Sequence, residues 1–239
     1  MNNMCIRIII PCFNEEGCIQ NILNELHTRV PTPNILVIDD GSTDHTASKA
    51  TECRDITLIR LPVNLGVGGA VQTGFMYARD HDDDIAVKFD GDGQHDPNSI
   101  STLLQPLVND QADIVIGSRF LREYPGYKST LLRRIGIKVL QFIAWFLTGQ
   151  KITDPTSGLR AYNSKAIKFM ADHYPSFDYP EPEEIILASK NGLRITEVPV
   201  LMRERQSGVS TISSAISVYY MLKVTLAMLF ISLRDPENK

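Results

Sequence analysis

At 239 residues with 43% hydrophobic composition, the chain is long enough to bury a full core and reads as one α/β domain rather than two small ones. A formal net charge of −4 argues against nucleic acid as a partner. Cys5, Cys12, Cys18 and Cys53 share neither CxxC nor His-rich spacing, which points away from disulfides and zinc and towards reduced structural thiols in the cytosol.

The opening "MNNMCIRIIIPCFNEE" enters an apolar strand without a basic region or a small-residue cleavage site, so no signal peptide is expected. As far as about residue 117, short β-branched runs ("IRIIIPC", "NILVIDD", "ITLIRL", "DIAVKFD", "DIVIGS") alternate with helical patterns. That rhythm predicts a mostly parallel sheet flanked by helices, with ligands at the carboxyl ends of the strands, where the polar clusters fall. From Arg119 to Lys151 there are seven basic residues against one acidic. Within this segment Leu132, Ile135, Val139, Phe142, Ile143 and Phe146 recur at helical spacing, with Arg134, Lys138 and Trp145 displaced. Two readings stand: a helix lying on an anionic membrane, or a helix packed on the core with a solvated basic side. After a helix ended by Gly192 and a strand "RITEVPVLM", the stretch from Ala215 to Leu233 holds Ser217, Lys223, Thr225 and Ser232 as its clearly polar residues; it is read as packed or interfacial, not spanning. The main domain is therefore placed at 1–212 and an apolar or amphipathic helix at 213–239.

The chemistry concentrates at strand ends. In "FDGDGQHDP", two carboxylates one residue apart follow an apolar run. An EF-hand loop counted from Asp90 fails at Gln94, His95 and Ser101. A phosphatase motif resembling DxDGT fails at Gln94 and at its distance from the chain start. The plain alternative is a solvated turn before a helix starting near Pro97, capped by Asp96. The neighbours favour a nucleotide cleft. "NILVIDDGSTDHT" and "RIIIPCFNEE" also end in polar clusters, so Asp40 can accept from ribose or base, Pro11 to Phe13 can line the base, and Asp90 with Asp92 can place Mg²⁺ or Mn²⁺ on a diphosphate. "NLGVGGA" lacks GxGxxG because Val71 occupies the last position, which disfavours a dinucleotide oxidoreductase.

"IPCFNEE", "VIDDGSTDHT", "NLGVGGAVQTG", "DGDGQHDP", "IGSR", "DPTSGLRAY" and "EVPVLMRERQSGVSTI", in that order, resemble family 2 glycosyltransferases of the GT-A fold, in the dolichyl-phosphate mannose or polyprenyl-phosphate sugar synthase branch. The resemblance implies inverting transfer from a nucleoside diphosphate sugar. It implies a cation on Asp90, Asp92 and Gln94, and donor contacts at Pro11, Phe13, Asn14, Glu15, Asp40, Gly66, Asp90 and Gly91. An acceptor phosphate would be held by Arg119, Arg133 or Arg134, and Arg205, since an arginine fork donates two hydrogen bonds to phosphate. Asp154 falls at the sugar or acceptor site. The branch's loop resembling DRxxGxSK is "RERQSGVST" here, with Glu204 before Arg205 and Thr211 in place of the Lys.

The expected function is sugar transfer to a polyprenyl phosphate at the inner face of a membrane, with the protein peripheral to it. The alternatives are transfer to a hydroxyl of a saccharide, with Asp154 or Glu183 as base, and a non-catalytic nucleotide-sugar binding subunit. A membrane-protein partner and a homo-oligomer are the protein contacts considered.

Overall fold

The computed structural model describes residues 4–31, 33–122, 131–203 and 214–235, with the side chains of 131–133 and 214–220 outside that description. In chain order the elements are β1 (Ile6–Cys12), α1 (Ile19–Arg29), β2 (Asn34–Asp39), α2 (Thr46–Thr51), β3 (Ile56–Arg60), α3 (Gly66–Asp80), β4 (Ile85–Lys88), α4 (Ser99–Val108), β5 (Ile114–Ser118), α5 (Leu131–Thr148), β6 (Arg160–Asn163), α6 (Ser164–His173), α7 (Glu181–Lys190), β7 (Ile195–Pro199) and α8 (Ser214–Leu233). The strands form one sheet in the order β3-β2-β1-β4-β6-β5-β7. All pairs are parallel except those made by β6, which runs antiparallel to both β4 and β5.

Continuous apolar strands fit this architecture because both faces are covered. On one face Ile9, Leu36, Ile38 and Ala86 meet Phe75 of α3 and Met170 of α6. On the other, Ile8, Ile10, Ile35, Val37 and Val87 meet Leu23 and Leu26 of α1 and Leu103 of α4. Burying each such side chain contributes about 1.5–3 kcal/mol relative to leaving it in water. Antiparallel β6 was not evident in the sequence, where "DPTSGLRAY" carries no strand pattern. Its direction matters, because its first residue, Arg160, pairs with Lys88 at the carboxyl end of β4.

Of the apolar face read from α5, Ile143 packs against the core, but most of the face is turned outward. Ile137, Leu140 and Ala144 are buried, whereas Ile135, Val139, Phe142, Trp145 and Phe146 are exposed. The helix carries two apolar stripes, and periodicity alone does not say which one meets the core. α8 packs on α7 and α5. Its Val224, Met228 and Ile231 are buried, and Leu222, Leu226, Leu229, Phe230 and Leu233 are exposed. Among the described residues no helix is long and apolar enough to cross a membrane. The expected boundary between domain and last helix, at residues 212 and 213, lies outside the described residues.

Polar contacts hold α8 at its middle and at its carboxyl end. Lys223 Nζ meets Asp178 Oδ2 at 2.9 Å, and Lys190 Nζ donates to the carbonyls of Ser232 and Arg234. Beneath α8 lies Glu183, 5% exposed, which burial pushes up to about 7 against the opposing pull of Ser176 and Lys223. A carboxyl whose folded pKa is raised contributes its full stability below the unfolded value, and that contribution is lost as pH rises through the folded value. Glu183→Gln should therefore melt progressively higher than the parent protein as pH rises from 5 to 8. A melting-temperature difference independent of pH over that range would contradict this account.

Candidate active site

The carboxyl ends of β1, β2 and β4 are tied together by their own polar residues. Asn14, in the left-handed region at φ 56°, donates its backbone N–H to Ser42 Oγ at 2.9 Å and accepts from the Thr43 N–H at 2.9 Å. The Glu15 N–H donates to Thr46 Oγ1 at 2.8 Å. Cys18 Sγ lies 3.1 Å from both Glu15 Oε2 and the Gly91 carbonyl, which links the first loop to the carboxylate loop. Pro11 is buried beneath this rim, while the Phe13 ring is 45% exposed.

Asp40 is turned inward. Its Oδ1 accepts the Leu65 N–H at 2.7 Å, and burial raises its pKa against that hydrogen bond and one from the Gly66 N–H. Gly66 itself sits at φ 80°, and a Cβ there would lie 2.7 Å from the Phe177 carbonyl oxygen. Sequence reading passed over the neighbouring aspartate. Asp39 is fully buried; its Oδ1 accepts the Ser42 N–H at 3.2 Å, while its Oδ2 lies 3.2 Å from Arg60 Nε and accepts no hydrogen bond. A buried carboxylate oxygen at a strand end with an ion-pair contact but no hydrogen bond is a signal that the doublet Asp39-Asp40 could not give by itself.

The carboxylate loop rests on buried charge. His95 Nε2 is 3.0 Å from Asp90 Oδ2, and Asp92 Oδ1 accepts the Gln94 N–H at 3.0 Å. Burial works against the charge on Asp90, but Lys88, the His95 hydrogen bond and Arg160 outweigh it and hold the carboxyl well below the usual carboxylate range. Lys88 is itself fully buried and is raised, because Glu181 and Asp90 outweigh its desolvation. Arg160, also fully buried, donates from Nε to the Ser157 carbonyl at 2.9 Å and pairs through Nη1 with Glu184 Oε1 at 3.1 Å. Glu184 also accepts from Tyr162 Oη at 2.9 Å. Cations and anions thus alternate from Asp90 into the base of α7.

Arg119 and Asp154 form a buried, two-pronged pair, with Arg119 Nε and Nη2 each 2.6 Å from an Asp154 oxygen. Arg119 Nη2 also donates to Thr156 Oγ1 at 2.7 Å, and its Nη1 faces Met202 Sδ at 3.6 Å. Glu197 accepts the Thr153 and Asp154 N–H groups at 2.7 and 2.8 Å, which sets the loop bearing Asp154. Between this loop and the carboxylate loop lies a cavity of about 120 Å³, lined by Asp90, Gln94, His95, Arg119, Thr156, Ser157, Gly158, Val200 and Met202. Gly91 packs against the Pro11 carbonyl, where a Cβ would be 3.1 Å away. Arg134 is exposed on α5, away from the packed stripe. The side chain of Arg133, and Arg205 entirely, lie outside the described residues.

The Glycosyl transferase family 2 profile matches residues 7–170. The chain belongs to that family. Within it, the chain is 36% identical to the UDP-N-acetylglucosamine–dolichyl-phosphate N-acetylglucosaminyltransferase of Methanococcus voltae, over 84% of this chain and 86% of that one. It is 32% identical to the polyprenol monophosphomannose synthase of Mycolicibacterium smegmatis, over 91% of this chain and 84% of that one. These relatives place the glycosyltransferase in the polyprenyl-phosphate sugar synthase-like branch. A solved glucosyl-3-phosphoglycerate synthase from Mycobacterium tuberculosis, in complex with Mn²⁺, uridine diphosphate and glucosyl-3-phosphoglycerate, superposes with a TM-score of 0.71 at 18% identity, covering 99% of this chain and 82% of that one. That likeness carries the GT-A fold.

Among the described residues no three His, Cys, Asp or Glu side chains converge to form a metal cage. The glycosyltransferase's loop still has the donors that Mg²⁺ or Mn²⁺ takes: one or two carboxylates and an amide oxygen, with substrate phosphates and water completing the shell. The ionised state of Asp90 fits that role.

Gly158 makes the arrangement testable. A Cβ at this position would lie 2.2 Å from Asp90 Oδ2, so Gly158→Ala must displace the carboxylate. Turnover should fall roughly 100-fold, the scale of an ångström-sized misplacement, with the melting temperature little changed. Parent-like turnover in that variant would remove Asp90 from the working site.

Proposed function

We propose that this glycosyltransferase moves a sugar from a nucleoside diphosphate sugar to a polyprenyl phosphate, with inversion, at the cytoplasmic face of a membrane. The observation that carries the choice of acceptor is the state of the two candidate bases. Asp154 is locked in the fork of Arg119, and Glu183 faces Ser176 and Lys223 under α8. A hydroxyl acceptor needs a general base, whereas a phosphate monoester, with a second pKa of about 6, already carries an anionic oxygen near neutral pH. The relatives named above act on dolichyl phosphate and polyprenol, which supports the same choice.

In this reading Asp90, Asp92 and Gln94 would hold Mg²⁺ or Mn²⁺. When bound, the ion supplies Lewis-acid neutralisation of the charge that develops on the departing nucleoside diphosphate. Lys88 and Arg160 keep Asp90 ionised throughout. The Asp39 carboxylate, beside Arg60 at the end of β2, is assigned to the base of the donor, with the Phe13 ring against that base. Asn14 and Glu15 hold the rim by which the two nucleotide loops keep their spacing, while Gly66 and Gly91 allow backbone to approach closely. The cavity beside Gly158 receives the sugar, and the Arg119–Asp154 pair fixes its far wall. Arg134, with Arg133 and Arg205, is assigned to the acceptor phosphate, whose oxygen attacks the anomeric carbon from the side opposite the diphosphate.

The exposed stripes of α5 and α8 support peripheral docking on the bilayer. Phe142, Trp145 and Phe146 stand out from α5 alongside exposed Arg134 and Lys138, the combination of apolar and cationic groups that settles into an anionic interface.

The test supplies UDP-, GDP- and dTDP-linked hexoses with Mn²⁺ or Mg²⁺ to the purified protein and to undecaprenyl or dolichyl phosphate in anionic vesicles, and scores new glycolipid by mass. A metal-dependent product is expected, lost in Asp92→Ala. The double variant Phe142→Ser, Phe146→Ser should lower the rate on vesicle-held acceptor but not on a short-chain, water-soluble polyprenyl phosphate. Transfer to saccharide hydroxyls with none to lipid phosphate would overturn the proposal.

A further inference from the structure

The segment leaving β7 does not end at the sheet edge. Val200 extends the pairing with β5 by donating its N–H to the Ser118 carbonyl at 3.0 Å. The chain then turns back across the carboxyl end of β5 and the amino end of β6, the two strands between β7 and β4, and reaches the loop that follows β4. There Met202 bridges to His95 in antiparallel fashion, and the Arg203 N–H donates to the Gln94 carbonyl at 2.8 Å. The side chain of Arg203 passes beyond the loop. Its Nη1 donates to Glu25 Oε2 on α1 at 2.7 Å, and its Nη2 donates to Asp96 Oδ1 at 3.1 Å. One residue therefore joins the last strand, the carboxylate loop and the first helix.

Nothing in the reactions assigned above uses Arg203, and its guanidinium has no place in the sugar cavity, which the same segment lines with Val200 and Met202. Two charge-assisted hydrogen bonds from one planar fork fix direction as well as distance. We infer that Arg203 is a positioning residue that staples the β7 exit onto the 94–96 loop, so that Gln94 and Asp92 are held where a cation and the donor diphosphate meet them. The inference rests on the reading of 90–94 as the cation loop. Unstapled, the loop keeps its ligands but loses their spacing, and groups that orient metal ligands are typically worth 10–100-fold in metal affinity.

The test reads binding rather than turnover: Mn²⁺ titrated into the protein in the presence of uridine diphosphate, with free Mn²⁺ followed by electron paramagnetic resonance and folding followed by melting temperature. Arg203→Ala should bind Mn²⁺ about tenfold or more weakly while remaining folded. Glu25→Ala, a surface change, should move affinity the same way by a smaller factor, because the contact with Asp96 persists. Arg203→Lys, which retains the charge but not the fork, should recover part of the loss. If Arg203→Ala does not fold, Glu25→Ala and Arg203→Lys decide the matter. Parent-like Mn²⁺ binding in the Arg203 and Glu25 variants, with loss in Asp92→Ala, would overturn the role of Arg203 alone. Equal binding by the parent protein and Asp92→Ala would overturn the cation-loop reading, and this inference with it.

Discussion

Two buried cations beneath a carboxylate organise this molecule. Lys88 and Arg160 face each other across the antiparallel pairing of β4 and β6, and both are fully excluded from water. Charges in such a place are costly unless paired and hydrogen-bonded. Here Glu181 and Glu184 on the first turn of α7 answer them from one side, and Asp90 answers Lys88 from the other. The arrangement explains why β6 runs against its neighbours. Reversal puts the start of β6 at the same edge as the end of β4, so the turn from Asp154 to Gly158 is delivered beside the carboxylate loop.

The same constraint accounts for the small residues around the cavity. Gly158 gives Asp90 its room, and Ser157, whose hydroxyl donates to the Gly117 carbonyl at 2.6 Å, holds the turn against β5. Arg119 and Asp154 close the far side as a buried ion pair. In the proposed function this cleft would hold a metal-bound diphosphate, and an anionic acceptor would need no general base beside it.

The first five strands were legible in the sequence because each is a short, largely apolar run rich in β-branched residues, and the polar clusters at their ends mark one edge of the sheet. β6 was not legible. Its four residues include Arg160 and Tyr162, held inside by an ionic network rather than by an apolar pattern, and buried charge looks like a solvated turn in one dimension. Lys88, Glu181 and Glu184 gave no signal in the sequence for the same reason. Asp90 and Asp92 stood out by their spacing and Gln94 through the family resemblance, whereas the hydrogen bonds that distinguish Asp39 from Asp40 exist only in the folded chain. α5 showed its apolar content but not its orientation, since Ile137, Leu140 and Ala144 give as good a stripe as Ile135, Val139, Phe142 and Phe146.

The central claim, that Asp90 and Asp92 present an ionised site for a cation at the end of β4, is tested most directly by anomalous scattering at the manganese edge from crystals soaked with Mn²⁺ and uridine diphosphate. The account predicts one strong peak at coordination distance, about 2.1 Å, from a carboxylate oxygen of Asp90 or Asp92, with diphosphate oxygens completing the shell. A peak on the cluster of Asp39, Asp40 and Asp44 instead, with none at the β4 loop, would contradict it.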